Sequence, residues 1–313
     1  MGEFGRIVVA VRRTRLQELL ERFVTEGQAR FYLERMGARF DEYERAHARY
    51  RESLSSLLAA LPASPRHVVV ERSLLPTFTF DERDLLITLG NNGLVVNAAK
   101  YLDGQPILGV NADPGAEESV VASFDVTGGL AMLPEVLQGR WRSKDVTLAE
   151  ARLNDGQRLL AFNDLFIGQV GHTSARYRIE FDGMSEDQSS SGIIISTGAG
   201  STGWMRSVFV GAYGVVGNGH SRDGDHTRLP GSSFDWSADE LMFAVREPWP
   251  SRTTGTSVVA GRLARGETLR VVSRMPKDGV VFSDGVPEDA VAFNSGAIAE
   301  VRQSKKKARL VAR

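Results

Sequence analysis

Four short constellations in this sequence carry residue types that can bind or process a polar ligand. The first is Leu89-Gly90-Asn91-Asn92-Gly93-Leu94, set between an apolar run and a helical run over 94–102. Glycine there lets backbone amides approach an anion, and a helix start adds partial positive charge. Gly-Asn-Asn-Gly is equally what an ordinary strand-to-helix turn looks like. The second is Thr197-Gly198-Ala199-Gly200-Ser201-Thr202-Gly203-Trp204, preceded by a strand-like run over 192–196. Small hydroxyl residues and glycines at this density leave amides and hydroxyls free for a ligand, and Trp204 can supply a flat apolar wall. A flexible loop with a buried tryptophan anchor fits the same residues. The third is Asn163-Asp164, held between Phe162 and Leu165, where a carboxylate can recognise a ribose diol. The fourth is Ser283-Asp284-Gly285, which also reads as a hairpin turn.

The elements around these segments change character along the chain. Short Val/Ile/Leu runs at 7–11, 67–71, 85–89 and 106–110 suit strands of a parallel sheet covered on both faces. Thr14 with Gln17 forms a capping box, which opens a helix directly after the first strand. Tyr43, His47, Tyr50, Leu54, Leu57 and Leu61 step by three and four along one helix face, which makes His47 a core-facing or rim histidine.

From about residue 144 helical periodicity fades. Asn154-Asp155-Gly156 marks a hairpin, and strands are expected at 158–168, 175–182, 193–197, 241–246, 254–260, 267–274, 278–283 and 290–294. The fold class is therefore α/β plus all-β: an α/β domain over 1–143, with 295–313 returning to it, and a β-rich domain over 144–294. A ligand is expected in the cleft between them. The stretch 211–236 reads as a polar surface insertion, in which His220, Asp223, Asp225 and His226 match no familiar metal spacing. Lys305-Lys306-Lys307 reads as a solvated charge run beside the last strand.

Composition narrows the function classes. A formal net charge of -1 gives no basic excess for nucleic acid. With no cysteine, disulfides, thiolate metal sites and thiol nucleophiles are excluded. No stretch is apolar for long enough to span a bilayer, and the N-terminal apolar run is ended too soon by Arg12-Arg13 for a signal peptide. The chain is expected to be soluble and cytoplasmic, with no nucleic-acid or membrane partner.

Taken in order, these segments resemble the NAD kinase superfamily. Gly90–Leu94 falls where NAD kinases carry GGDGT, Asn163-Asp164 where they carry Asn-Glu, and 197–204 where they carry a TPTGSTAY-like loop; Asp284-Gly285 matches the late Asp-Gly. The chain looks most similar to the mitochondrial-type branch. It shares Ile107-Leu108-Gly109-Val110-Asn111-Ala112-Asp113-Pro114, Ser190-Ser191-Gly192, the Gly-Ser-x-x-Trp ending at Trp204, Arg246-Glu247-Pro248 and the segment 293–299. The resemblance runs from the first strand to about residue 303.

It implies a Rossmann-like N-terminal domain and a C-terminal β-rich domain, assembled as a homodimer or homotetramer. It implies transfer of the γ-phosphate of ATP, assisted by Mg²⁺, to the 2′-hydroxyl of NAD. Carried over, the base position falls on Asn92, phosphate contacts on Gly90, Asn91 and Gly93, and dinucleotide contacts on Asn163, Asp164, Thr197, Gly200, Ser201, Thr202 and Asp284.

The departures fall in the loop the chemistry uses. Asn92 replaces the family aspartate, Asn91 the second glycine, Leu94 the threonine and Asp164 the glutamate. An amide cannot take a hydroxyl proton, and loss of a general base typically costs about 10²–10⁴ in rate. Asp113 and Asp164 are the candidates to replace it. Two other readings follow: a nucleotide-binding sensor or regulatory protein without efficient catalysis, and a kinase for another hydroxyl substrate such as a lipid or sugar.

Overall fold

The computed structural model describes residues 4–115, 119–216 and 233–312. The chain divides into two compact units, residues 1–144 with 309–313, and residues 145–308.

The first unit is a parallel α/β layer. Its strands are β1 (Arg6–Val11), β2 (Arg66–Glu71), β3 (Asp84–Gly90), β4 (Pro106–Asn111) and the short β5 (Phe124–Asp125). Its helices are α1 (Arg15–Phe23), α2 (Glu26–Arg35), α3 (Phe40–Ala60), α4 (Asn92–Ala99) and α5 (Val126–Leu137). The order β2-β1-β3-β4 makes β1–β3 the point where the chain reverses direction across the sheet, and ligands of open α/β sheets favour the carboxyl ends of strands at such a point.

Every residue of β3 and β4 is buried, which is why both read as largely apolar runs, with Thr88 the polar residue inside β3. One core gathers Ile7, Val9, Leu85, Ile87, Leu108 and Val110 under Tyr50 and Leu57 of α3 and Leu133 and Val136 of α5. Leu16, Ala29, Leu33 and Phe40 form a satellite cluster among α1–α3. The capping box is present: Gln17 N donates to Thr14 Oγ1, and Thr14 N to Gln17 Oε1 at 2.9 Å.

The second unit is β-rich. Its elements are β6 (Arg142–Leu153), β7 (Arg158–Ala161), β8 (Asp164–Gln169), β9 (Ala175–Phe181), β10 (Met184–Ser190), β11 (Ile193–Ser196), α6 (Trp204–Val216), β12 (Leu241–Val245), β13 (Ala260–Leu263), β14 (Leu269–Ser273), β15 (Gly279–Ser283), β16 (Val286–Ala292) and β17 (Ile298–Ala312). Six strands form an antiparallel sheet in the order β13-β12-β11-β8-β15-β16. Ile193 and Ile195 point into the main core with Tyr177, Ile179 and Val271, while Ile194 points to the opposite face under Met205 of α6. Burial on both faces explains the continuous Ile193–Ile195 run.

β17 pairs with β14 through Ile298–Val301, and its end, Arg309 and Leu310, pairs with β4 inside the first unit. Buried Glu150 on β6 is ringed by Arg152, Arg158 and Arg302, which overcome the cost of burying its charge and hold its pKa below the usual carboxylate range.

Several sequence expectations need correction. The strand expected at 158–168 is two strands, β7 and β8, interrupted at Phe162-Asn163. Of the strand expected at 254–260 only Ala260, the first residue of β13, is strand; 254–259 form a loop in which Glu186 accepts the amides of Ser257 and Val258 at 2.9 Å and leaves them no sheet partner. The strand expected at 290–294 begins earlier, at Val286. Lys305–Lys307 lie within β17 and not beside it, because charged side chains can alternate outward from a paired strand. A helix, α6, occupies part of the expected insertion; His220, Asp223, Asp225 and His226 lie outside the described residues.

Candidate functional site

In the first unit, the ends of β1, β3 and β4 open onto a pocket of about 220 Å³. Arg12 lines it from the turn after β1, Arg15 from the start of α1, Gly90 and Asn91 from the end of β3, Asp113 from the turn after β4, and His47 from α3. The walls are fixed by Tyr50, whose hydroxyl accepts from Arg12 N and donates to Leu89 O, both at 3.1 Å. Burial raises the Tyr50 pKa, against the Arg12 amide and charge, so the phenol keeps the proton it donates. His47 sits on the rim as its spacing implies, with Nδ1 2.8 Å from Thr14 Oγ1.

Arg12 Nε is buried and has no hydrogen-bond partner among the described residues. Asn91 caps α4 without a side-chain hydrogen bond, so its first-turn amides lack that partner. A guanidinium nitrogen without a partner at the wall of a cavity suits an anion. The Gly90 position is tight: a Cβ there would lie 3.0 Å from Leu94 Cδ2. Gly93 is exposed.

Asn92 does something the sequence did not suggest. Its Oδ1 accepts from Ser119 Oγ at 2.5 Å, Val121 N at 2.8 Å and Ala122 N at 3.2 Å. Gly109 admits the same segment, since a Cβ there would lie 3.0 Å from Ala122 Cα. Asn92 thus ties the first turn of α4 to the chain before β5. Asn92→Ala should strand these donors and cost about 1–3 kcal/mol, read as a lower urea midpoint; an unchanged midpoint would deny the tie. Asp113 is engaged as well, since its Oδ2 accepts from Arg49 Nε at 3.0 Å and Nη2 at 2.7 Å.

In the second unit, the break between β7 and β8 is held from two sides. Asp284, at φ 54° in the β15–β16 turn, accepts from Phe162 N at 3.0 Å through Oδ2, and from Asn163 N at 2.7 Å and Asp164 N at 3.2 Å through Oδ1. Thr197 N donates to Asn163 O at 2.9 Å and Thr197 Oγ1 to Phe162 O at 2.6 Å. Ser201 Oγ donates to Gly198 O at 2.7 Å, closing the turn that leads through Gly200–Thr202 into α6.

Thr197, Ser201 and Asp284 therefore build the backbone, and Gly200 lets it close. What remains on this frame is the half-buried side chain of Asn163, the exposed Thr202 and one buried oxygen of Asp164, which has no hydrogen-bond partner among the described residues. Burial pushes the Asp164 carboxyl up to about 7; the Ser196 hydroxyl opposes this and the charge of Asp284 adds to it. Trp204 stacks on Phe166 at 5.5 Å and belongs to the core under α6.

The sequence reading missed Arg12, Arg15 and Ser119. For the two arginines a signal existed: cations immediately after a first buried strand, at the same sheet edge as the glycine turn.

No protein-family model and no curated protein sequence matches this chain. Among solved structures it is similar to yeast NADH kinase crystallised with NADH, with a TM-score of 0.59 over 98% of this chain and 83% of that one. The fold is NAD kinase-like. Identity in that alignment is 15%, so the likeness concerns the NAD kinase-like fold and not the chemistry. Among the described residues, no helix is long and apolar enough to cross a membrane.

Proposed function

We propose that the chain binds a NAD-type dinucleotide through the second unit and transfers the γ-phosphoryl of ATP to its ribose 2′-hydroxyl. The observation that carries this reading is one buried oxygen of Asp164 without a hydrogen-bond partner among the described residues, next to Asn163 on a turn locked by Asp284 and Thr197. Buried polar atoms without partners are uncommon in proteins and fit an absent ligand. A carboxyl and an amide side by side match the hydroxyls of a ribose.

In the first unit, the pocket lined by Arg12, Arg15, Gly90 and Asn91 is suited to the phosphate chain of a nucleotide. Mg²⁺ enters as part of the MgATP substrate. Phosphates plus one or two carboxylates suffice for it, and the described residues contain no group of three acidic or histidine side chains that could hold a metal by themselves. The protein is read as a homodimer or homotetramer, following the resemblance.

One observation favours a second reading, a nucleotide sensor: the oxygen of Asn92 is spent on Ser119, Val121 and Ala122, so that loop offers no base. A coupled assay for NADP formation from NAD and MgATP separates the two. Turnover above a protein-free blank supports the kinase. Nucleotide-dependent thermal stabilisation without turnover supports the sensor, and neither effect at millimolar nucleotide overturns both.

A further inference from the structure

We propose that the pocket of the first unit chooses its ligand by the charge of a triphosphate chain and not by the base attached to it, with Arg12 gripping the chain. The inference rests on the reading of this pocket as a phosphate site. It goes beyond that reading by naming the residue and by making the ligand a nucleoside triphosphate of any base. Every group it uses lies within the first unit.

The charges around the cavity are unevenly paired. Two acids line it, and each is matched by an arginine outside the lining: Asp113 accepts from Arg49 at 2.7 and 3.0 Å, and Glu42 lies 3.9 Å from Arg39. The two arginines that do line it, Arg12 and Arg15, make no ion pair among the described residues. Arginines elsewhere in the same unit do pair: Arg6 with Asp84, Arg13 with Glu71, Arg30 with Glu26 and Arg140 with Glu135. The wall therefore carries uncompensated positive charge, and Arg12 holds part of it away from water, since its Nε is buried without a partner. A buried donor left unpaired is costly, and a phosphate oxygen supplies the partner that the planar guanidinium favours. Arg12 is also held in place. Its amide donates to the Tyr50 hydroxyl at 3.1 Å, and its Cδ lies 3.7 Å from where a Cβ of Gly90 would stand, so the side chain runs over the glycine turn.

Polar groups of the lining that could read a base are committed to the protein. Thr14 Oγ1 and His47 Nδ1 are bonded to each other at 2.8 Å. The Tyr50 hydroxyl serves Arg12 N and Leu89 O, and Asn111 Oδ1 accepts from Asp113 N at 3.0 Å. Recognition of a base needs donors and acceptors placed for its edge. Space agrees with charge: the cavity of about 220 Å³ is smaller than the roughly 300–1,000 Å³ of sites that enclose a drug-sized ligand. The phosphate chain fits inside, and the nucleoside is left outside.

The test is titration calorimetry of the full chain in magnesium-free buffer, with ATP, GTP, CTP and inorganic triphosphate, and separately with NAD. The proposal expects the four triphosphates to bind within a few-fold of one another. Arg12→Gln should weaken all four by about 10–100-fold while NAD affinity stays within a few-fold, and Arg12→Lys should fall between parent and Arg12→Gln. ATP binding more than about tenfold tighter than CTP or inorganic triphosphate would overturn the proposal, because the base would then be read. So would unchanged triphosphate affinity in a folded Arg12→Gln, or loss of NAD binding along with the triphosphates in that variant. A parent that binds NAD but no triphosphate overturns this proposal and leaves the dinucleotide reading standing. One that binds the triphosphates but not NAD supports it and overturns that reading.

Discussion

Gly200→Ala should destabilise the protein by about 3 kcal/mol or more and remove its response to NAD. The added Cβ would lie 2.3 Å from Asn163 O, 2.6 Å from Asn163 C and 2.7 Å from Ser196 Oγ. Overpacking usually costs about 1–3 kcal/mol when side chains can shift, and more when they cannot. Here the obstacle is backbone, and that backbone is tied by Thr197 N at 2.9 Å and by Asp284. Relief would mean parting the Thr197 turn from the β7–β8 break, which separates the groups proposed to hold the dinucleotide. Urea denaturation with and without NAD is the measurement. A change under 1 kcal/mol would show that the two turns are not pressed together as described.

Asp164→Asn should have the opposite sign and a strong pH dependence. The folded pKa of about 7 lies above the ordinary carboxylate value of 3.8. Below pH 4 both folded and unfolded chains hold the proton, and the carboxyl costs nothing. Between pH 4 and pH 7 the unfolded chain ionises while the folded one retains its proton, so stability falls as pH rises; above 7 the loss is complete. Asparagine removes this dependence. The variant should be more stable than the parent by about 2–4 kcal/mol at pH 8, with the difference fading toward pH 4. Equal stabilities across that range would mean Asp164 is not held in a low-dielectric setting. A residue that lowers stability at the pH where it works is what a functional carboxyl looks like.

The parallel strands β3 and β4 of the first unit were legible because both of their faces are buried, which leaves a largely apolar run. The Thr14–Gln17 cap was legible because both of its bonds are local. Polar strands were not. Met184–Ser190 pairs only with β9, at the edge of its sheet, so half its side chains face outward and no apolar alternation marks it. The loop at 254–259 has a strand-like composition, yet Glu186, about seventy positions earlier, takes the amides of Ser257 and Val258.

At the candidate site the motifs could be located from sequence, but the division of labour within them could not. Asp284 reaches amides 120 to 122 positions away, and Asn92 reaches 27 to 30 positions along. Only those partners show that Asp284, Thr197 and Asn92 are scaffold, while one oxygen of Asp164 is left without a partner among the described residues.

Titration calorimetry of the parent protein with NAD tests the central claim most directly. The account predicts saturable binding of one NAD per chain, lost in Gly200→Ala. No heat and no saturation up to millimolar NAD, in a protein that is folded by circular dichroism, would contradict it.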